Sequence, residues 1–253
     1  MIQSIEDFIQ AVREGSSSWH PEQPRWFRGE PESDKALVPT LYRDGFAPHE
    51  NQLLQLFRAR APGFHDEVPD REKTDQWLFL ARHAGLPTRL LDWSESALVG
   101  LHFALKEKRG VVWMLNPLQL NHIAAGAPAD IDPNAIREFP LPWHRPEAPF
   151  VNIAFENLCG AWELDGPGVS HPVALNPTYV HSRLRGQRGC FTIHGKQKSG
   201  LNSQVPSSIL KCFHVDPEFR QSMRKDLVLL GVTDSVVFPD LDGLATELKN
   251  RFS

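Results

Sequence analysis

The sequence predicts an α+β fold: a mixed, largely antiparallel sheet core with helices clustered early in the chain. Three observations carry this expectation. Helical periodicity dominates the first hundred or so residues and short strand-like runs come mostly later, an order unlike the strict alternation behind a parallel sheet. No glycine-rich fingerprint of a dinucleotide-binding unit or of a P-loop occurs. The chain has 253 residues, 41% of them hydrophobic and 23% charged, which suffices for a sizeable core in one domain. Residues 1–253 are therefore read as a single domain with a long irregular insertion at about 116–170.

Ile5, Phe8, Ile9 and Val12 recur at helical spacing, with Ser4 as N-cap and acidic residues in the first turn. Arg25 to Gly29 reads as a short strand with a glycine exit. A proline- and charge-rich connector leads through Leu37 to Tyr42 into a helix over His49 to Ala61, stopped by Pro62-Gly63. Thr74 caps a helix to Ala84 whose buried face is Trp77, Leu78, Leu80 and Ala81. Gly85 and Pro87 then mark a turn, Ser94-Glu95-Ser96 opens a helix through Leu105, and Val111 to Leu115 is a buried strand. From Asn116 to Pro149 prolines and turn residues replace periodicity, as in loops that act as lids or binding elements. Val173 to Leu175, Val180 to Leu184, Cys190 to His194, Ile209 to Val215 and Val236 to Phe238 read as strands. Pro217 to Leu230 and Leu241 to Phe252 read as helices.

A formal charge of −4 argues against a generally basic nucleic-acid-binding surface, while leaving room for a local basic groove. No apolar run approaches the roughly 20 residues of a membrane span, and Met1 to Asp7 lacks the basic and apolar regions of a signal peptide. The three cysteines, Cys159, Cys190 and Cys212, are odd in number and widely spaced. That pattern fits a reducing cytoplasm and gives neither a disulfide framework nor a thiolate metal site.

Polar and rigid residues are densest from His83 to Ser94. Arg89 and Asp92 are charges lodged among leucines, and buried charge is costly unless paired. With Thr88 they are expected to form an internal Arg–Asp network that fixes the loop and braces a site. His83, at a helix end, is either an acid/base or ligand contact or a partner of the helix C-terminus. Arg28 offers a forked guanidinium for phosphate or carboxylate, with Gly29 allowing close backbone approach; alternatively it pairs with Glu30. Gln187 sits among Arg183, Arg185 and Arg188, which reads either as a phosphate-attracting cluster or as a solvated hairpin. Glu156 and Glu163 are the mid-chain carboxylates. No metalloprotease helix motif, cysteine–histidine pair of known spacing or nucleophile elbow is found.

Trp26-Phe27-Arg28-Gly29-Glu30 and the string from Leu80 to Ser94, continuing through Ala97 to Ala104, resemble the FRG domain, named for its Phe-Arg-Gly signature. The Arg183 to Phe191 and Phe238 to Leu244 segments also resemble the family, which occurs in bacteria and phages. A more remote resemblance is to ADP-ribosyltransferases. Those enzymes carry an aromatic-Arg-Gly strand whose arginine holds NAD, a Ser-Thr-Ser strand running into a helix, and a strand bearing a catalytic glutamate. Here Arg28 matches the first element, and Asp92-Trp93-Ser94 with the following helix stands at the second. Gln187 lies near the third, where glutamine replaces glutamate, so Glu30, Asp92 or Glu156 would have to supply the carboxylate.

The resemblance implies an ADP-ribosyltransferase-like fold and an NAD-using enzyme, a toxin or antiphage effector that modifies a protein or nucleic-acid acceptor. An antitoxin or another defence-system protein is the implied partner. Arg28, His83, Asp92 and Gln187 would be catalytic, with Arg28, Gly29, Glu30, Thr88, Arg89 and Ser94 around the NAD. The alternatives are a non-catalytic nucleotide- or nucleic-acid-binding sensor, and a metal-dependent nuclease, for which no carboxylate cluster stands out.

Overall fold

Alternation along five strands decides how this chain buries its apolar residues. Leu90, Phe191, Ile193, Val173 and Leu175 point to one cluster, whereas Leu91, Trp93, Cys190 and Ala174 point to another on the opposite face. Phe27, Val112 and Met114 point to a third, and their strand neighbours Trp26 and Leu115 join the second. The computed structural model describes residues 1–32, 36–107, 109–124, 171–177, 182–195 and 197–252.

The strands are β1 (Trp26–Glu30), β2 (Leu90–Ser94), β3 (Val111–Leu115), β4 (Val173–Leu175), β5 (Gly189–Ile193) and β6 (Leu210–His214). They form one six-stranded sheet in the order β4-β5-β2-β1-β3-β6, and every neighbouring pair is antiparallel. The expected mixed fold with an antiparallel sheet is therefore present. The helices are spread more evenly than expected. They are α1 (Ile5–Gly15), α2 (Thr40–Arg43), α3 (Glu50–Arg60), α4 (Thr74–His83), α5 (Ala97–Ala104) and α6 (Pro117–Ala124), followed by α7 (Ser182–Gly186), α8 (Leu201–Gln204), α9 (Arg220–Leu229), α10 (Asp234–Val237) and α11 (Leu241–Arg251).

Helix α6 occupies the start of the expected irregular insertion; the rest of that stretch, with Glu156, Cys159 and Glu163, lies outside the described residues. Two expected strands are helices instead. Of the expected Val180 to Leu184 strand, the described part from Ser182 lies in α7, and Val236 to Phe238 gives way to the end of α10. Runs this short are set by tertiary packing rather than by β-propensity. Ser4 caps α1 by accepting from the Asp7 N–H at 3.0 Å, and Ser96 caps α5 by accepting from Val99. Thr74 is the first residue of α4 rather than its cap.

The turn after α4 has a defined cause. Gly85 has φ of +85°, the Gly85 N–H donates to the Arg82 carbonyl at 3.1 Å, and the Leu86 N–H donates to the Ala81 carbonyl at 2.9 Å. This Schellman arrangement needs a left-handed residue, and Leu86 completes it by packing against the first cluster. It reverses the chain, so that β2 returns alongside α4.

The sheet is not uniform. β1 and β3 are in register from Trp26↔Leu115 to Glu30↔Val111, and β2 and β5 from Leu90↔Ile193 to Ser94↔Gly189. β1 and β2, by contrast, are joined by the single register pair Phe27↔Ser94. Beyond that pair the strands part. The face above this seam separates the cluster built on α3 and α4 from the cluster built on α1, α5 and α9.

Candidate functional site

A cleft of about 460 Å³ opens over the seam, within the size range of small-molecule sites. Its walls are apolar and aromatic, with Phe27, Phe79, Trp93, Phe103 and Phe191 among them. Phe79 and Phe191 stack at 5.1 Å between ring centroids. Into this lining project Arg28, Glu30, Arg82, His83, Asp92, Lys106, Arg183 and Gln187.

Arg28 occupies the gap between the parted strands. Its Nη1 donates to the Asp92 carbonyl at 2.7 Å, the kind of acceptor a ladder partner would otherwise engage. Its Nε donates to Glu30 Oε1 at 2.7 Å, so the pairing with Glu30 and the position in the cleft both hold. Arg43, from α2, stands 3.8 Å from the same carboxylate oxygen. Asp92 accepts from Arg82 Nε at 3.1 Å on both oxygens and from Arg82 Nη2, and lies 3.7 Å from Arg28 Nη1. Arg82 Nη1 reaches Thr40 at 3.2 Å. The result is a chain of alternating charges: Arg43, Glu30, Arg28, Asp92, Arg82.

Burial works to raise the Asp92 carboxyl, but the Arg82 charge and hydrogen bonds, helped by Arg28, hold it below the usual carboxylate range. Arg82 is held above its ordinary value; burial alone would lower it, and Asp92 and then Glu30 outweigh that. Asp92 is thus an ionised carboxylate whose side chain is 40% exposed, whereas Glu30 is 4% exposed.

Of the residues singled out in the sequence, Arg28, Gly29, Glu30, His83, Asp92, Ser94 and Gln187 all line this cleft. Their roles differ from those expected in several cases. Gly29 makes room for protein rather than for a ligand: a Cβ there would stand 2.0 Å from the Gly100 carbonyl oxygen and 2.4 Å from the Ala104 nitrogen. Ser94 is buried, and its Oγ donates to the Gln187 carbonyl at 2.6 Å, fixing the turn that carries Gln187. His83 is the last residue of α4 and faces the cleft.

Thr88 and Arg89 lie outside the lining. Thr88 is buried, with Oγ1 accepting from the Leu90 N–H at 3.4 Å. The expected Arg89–Asp92 network does not form. Arg89 instead makes a forked pair with Glu50 of α3, its Nε donating to Oε1 at 2.6 Å. Arg89 and Asp92 are three apart along nearly extended chain, so their side chains leave on opposite faces and do not meet. The three-arginine cluster also disperses: Arg183 lines the cleft, Arg185 is exposed, and Arg188 pairs at 3.3 Å with Glu95.

Arg82 and Lys106 were not singled out in the sequence. Arg82 carried a signal: it sits in the last helical turn before the Gly85 reversal, which brings it level with the returning strand. Lys106 carried none, because its place depends on how α5 crosses β1.

Residues 23–111 match the FRG domain. The match supports the FRG family for this part of the chain and spans β1 through the start of β3. Arg28, Glu30, Arg82, His83, Asp92 and Lys106 lie inside the FRG span, while Arg183, Gln187 and Phe191 come from beyond it. No curated protein and no solved structure matches the chain. Among the described residues no group of His, Cys, Asp and Glu gathers to hold a metal ion, and no helix is long and apolar enough to cross a membrane.

Proposed function

We propose that the cleft binds NAD and that the protein is an ADP-ribosyltransferase-like enzyme. It uses NAD as substrate and modifies a protein or nucleic-acid acceptor, as a toxin or antiphage effector would. The observation that carries the reading is convergence: Arg28, His83, Asp92 and Gln187, distant in sequence, line one cleft at the seam of the sheet. The remote likeness had assigned three elements to NAD chemistry, and these are β1, β2 and the segment entering β5, consecutive in the sheet. The lining also carries Arg28, Arg82, Lys106 and Arg183 against Glu30 and Asp92, a local positive excess in an acidic chain. Aromatic walls with an excess of cations suit a ring-bearing, phosphate-bearing ligand.

In this reading the bond from nicotinamide to ribose C1′ breaks and a bond from C1′ to an acceptor nucleophile forms. Nicotinamide leaves with the bonding electron pair, and the acceptor's proton passes to a base, for which His83 is positioned. Asp92, ionised and the more exposed carboxylate, stabilises the positive charge that develops on the ribose. Arg28 binds phosphate or ribose oxygen, and Gln187 contacts the nicotinamide ribose or the acceptor.

The test is incubation of the purified protein with labelled NAD and cell lysate. The expected result is nicotinamide release with label transfer. In Arg28→Ala this is lost and NAD binding weakens roughly 10–100-fold, the worth of a charged hydrogen bond. Neither release nor transfer by the unaltered protein would sink the enzymatic reading. A second reading, nucleotide binding without turnover, is favoured by one observation: both lining carboxylates are already engaged by arginines. It predicts that ADP-ribose and NAD bind with similar affinity and that no nicotinamide is released.

A further inference from the structure

The cations of the cleft fall into two kinds. Arg28 and Arg82 are locked to carboxylates. Lys106 and Arg183 form no ion pair among the described residues. What holds them is a ring. Lys106 Nζ stands 4.5 Å from the centroid of Phe238, and the Arg183 guanidinium carbon stands 4.5 Å from the same centroid. Twice that distance is the most that can separate the two charges. Lys106 is also 4.8 Å from the Phe103 ring, which meets Phe238 edge-on at 5.7 Å.

Phe238 is itself held firmly. Its N–H donates to the Asp234 carbonyl at 2.7 Å. The Asp234 carboxylate lies 3.4 Å from His102 Nε2 of α5, without hydrogen-bond geometry, and accepts from Asn250 of α11 at 3.0 Å. Helix α7, which bears Arg183, presses on the same unit, since a Cβ on Gly186 would stand 2.7 Å from the Val236 carbonyl oxygen. Lys106 leaves α5, Arg183 rides on α7, and Phe238 follows α10, so three elements meet here.

We infer that Phe238 positions Lys106 and Arg183 as a paired phosphate-binding site at the outer end of the cleft, separate from the arginines over the seam. The ligand chemistry is a diphosphate, whether free or within a nucleotide; that it belongs to NAD rests on the function proposed above. Two like charges within about 9 Å of each other repel, and an anion that contacts both relieves the repulsion. Consistent with this, burial, with the Arg183 and Arg224 charges, holds Lys106 below its ordinary value despite Asp234. Lys106 reaches solvent while its charge stays partly desolvated, and Arg183 is half-buried, so both are accessible to a ligand in the cleft. Phe238 and Arg183 both lie beyond the FRG match, so this site would be one that the matched span alone does not complete.

The experiment is calorimetric titration of the full chain with inorganic pyrophosphate, run in parallel with NAD. Lys106→Gln and Arg183→Gln are each expected to weaken pyrophosphate roughly tenfold and to flatten its salt dependence. Phe238→Leu keeps bulk but removes the ring face and should weaken pyrophosphate about three- to tenfold, while Phe238→Tyr restores it to within about twofold. Thermal melts of each variant establish that the comparison is made on folded protein. Failure of the unaltered protein to bind pyrophosphate overturns the inference, as does unchanged binding by both glutamine variants. Equal binding by the leucine and tyrosine variants removes Phe238 as the positioning residue. If pyrophosphate behaves as expected but NAD does not bind, the NAD reading fails and the phosphate site stands. If NAD binds and the glutamine variants leave both ligands unaffected, the reverse holds.

Discussion

The two halves of the sheet are built alike inside and differently where they meet. In β1-β3-β6 the strands run in register along their whole length, from Val111↔His214 to Leu115↔Leu210 in the outer pair. In β4-β5-β2 the same is true from Leu90↔Ile193 to Ser94↔Gly189. Each half satisfies its backbone by backbone. The seam has one register pair, and a side chain takes over: Arg28 donates to the Asp92 carbonyl. Where a ladder lapses, polar groups must be supplied by side chains, and those same groups become available to a ligand. The halves are scaffold; the seam is where the charged side chains of the cleft gather.

The sharpest way to break this division is to attack the scaffold beside the seam. Gly29→Ala places a methyl group against the backbone of α5 at Gly100 and Ala104, neither of which is a flexible side chain. The expected cost exceeds about 3 kcal/mol, the upper end for overpacking, and is read as loss of soluble protein or of cooperative melting. A well-folded Gly29→Ala protein with reduced ligand binding would instead return Gly29 to the ligand-approach role.

Two arginine–carboxylate pairs test the same contrast at lower cost. Arg89–Glu50 belongs to the scaffold, with side chains 10% and 11% exposed. Arg82–Asp92 belongs to the site, at 22% and 40%. Arg89→Ala strands a nearly buried carboxylate and should lower stability by about 3–5 kcal/mol in denaturant titration. The milder Arg89→Lys should bind NAD or ADP-ribose like the unaltered protein. Arg82→Ala should cost only about 1 kcal/mol in stability and weaken the same ligands more than tenfold. Reversal of these two profiles would mean that site and scaffold have been assigned the wrong way round.

How much of this was legible depended on whether a residue's neighbours were set by local periodicity or by chain reversal. Ser4 as a cap, the α4 and α5 helices, Gly85 as a turn and the β5 strand follow from patterns a few residues long, and each is present, whereas β2 is not read as a strand. The pairing of Arg89 with Asp92 was inferred from proximity in sequence, yet both partners lie elsewhere. Arg82 is ten residues back across the Schellman turn, and Glu50 is on a different helix. Lys106, Arg183 and Phe238 share a ring only because three elements converge, which no spacing announces. Two short runs that end in or overlap α7 and α10 are read as strands; in α10 the paired valines favour a strand, and packing overrode that preference.

Acid should strain both halves, through one buried histidine in each. His194, just past β5, is pushed by burial and then by the Arg28 charge down to about 3. His102, on α5, is pushed down to about 4 by burial, with Asp234 opposing. Both fold as neutral rings, while the unfolded chain takes up a proton near the ordinary value of about 6.5. Stability is therefore intact above about pH 6.5 and is lost as pH falls toward 4 and then 3, because the unfolded state binds more protons there. The expected loss from His194 is roughly 2–3 kcal/mol by pH 4. His194→Gln, which cannot take the proton, should show a flatter decline of melting temperature between pH 6.5 and 4; an unchanged slope would mean that His194 is charged in the folded protein.

The smallest effect belongs to the end of the β2–β5 pair, beside the seam. Arg188 enters β5 with φ of +46°, and its carbonyl accepts the Glu95 N–H at 3.0 Å, tying the end of β2 to the start of β5. A non-glycine residue in this left-handed region costs about 1–2 kcal/mol, against the smaller entropic cost of ordering a glycine. Its side chain pairs with Glu95 at 3.3 Å but is 64% exposed, so the pair contributes little. Arg188→Gly should accordingly raise stability by up to about 1 kcal/mol in chemical denaturation, leaving pyrophosphate and NAD binding unchanged. If the glycine variant is destabilised instead, the Arg188–Glu95 pair holds β2 and β5 together at this edge, and side-chain support extends from the seam into the half beside it.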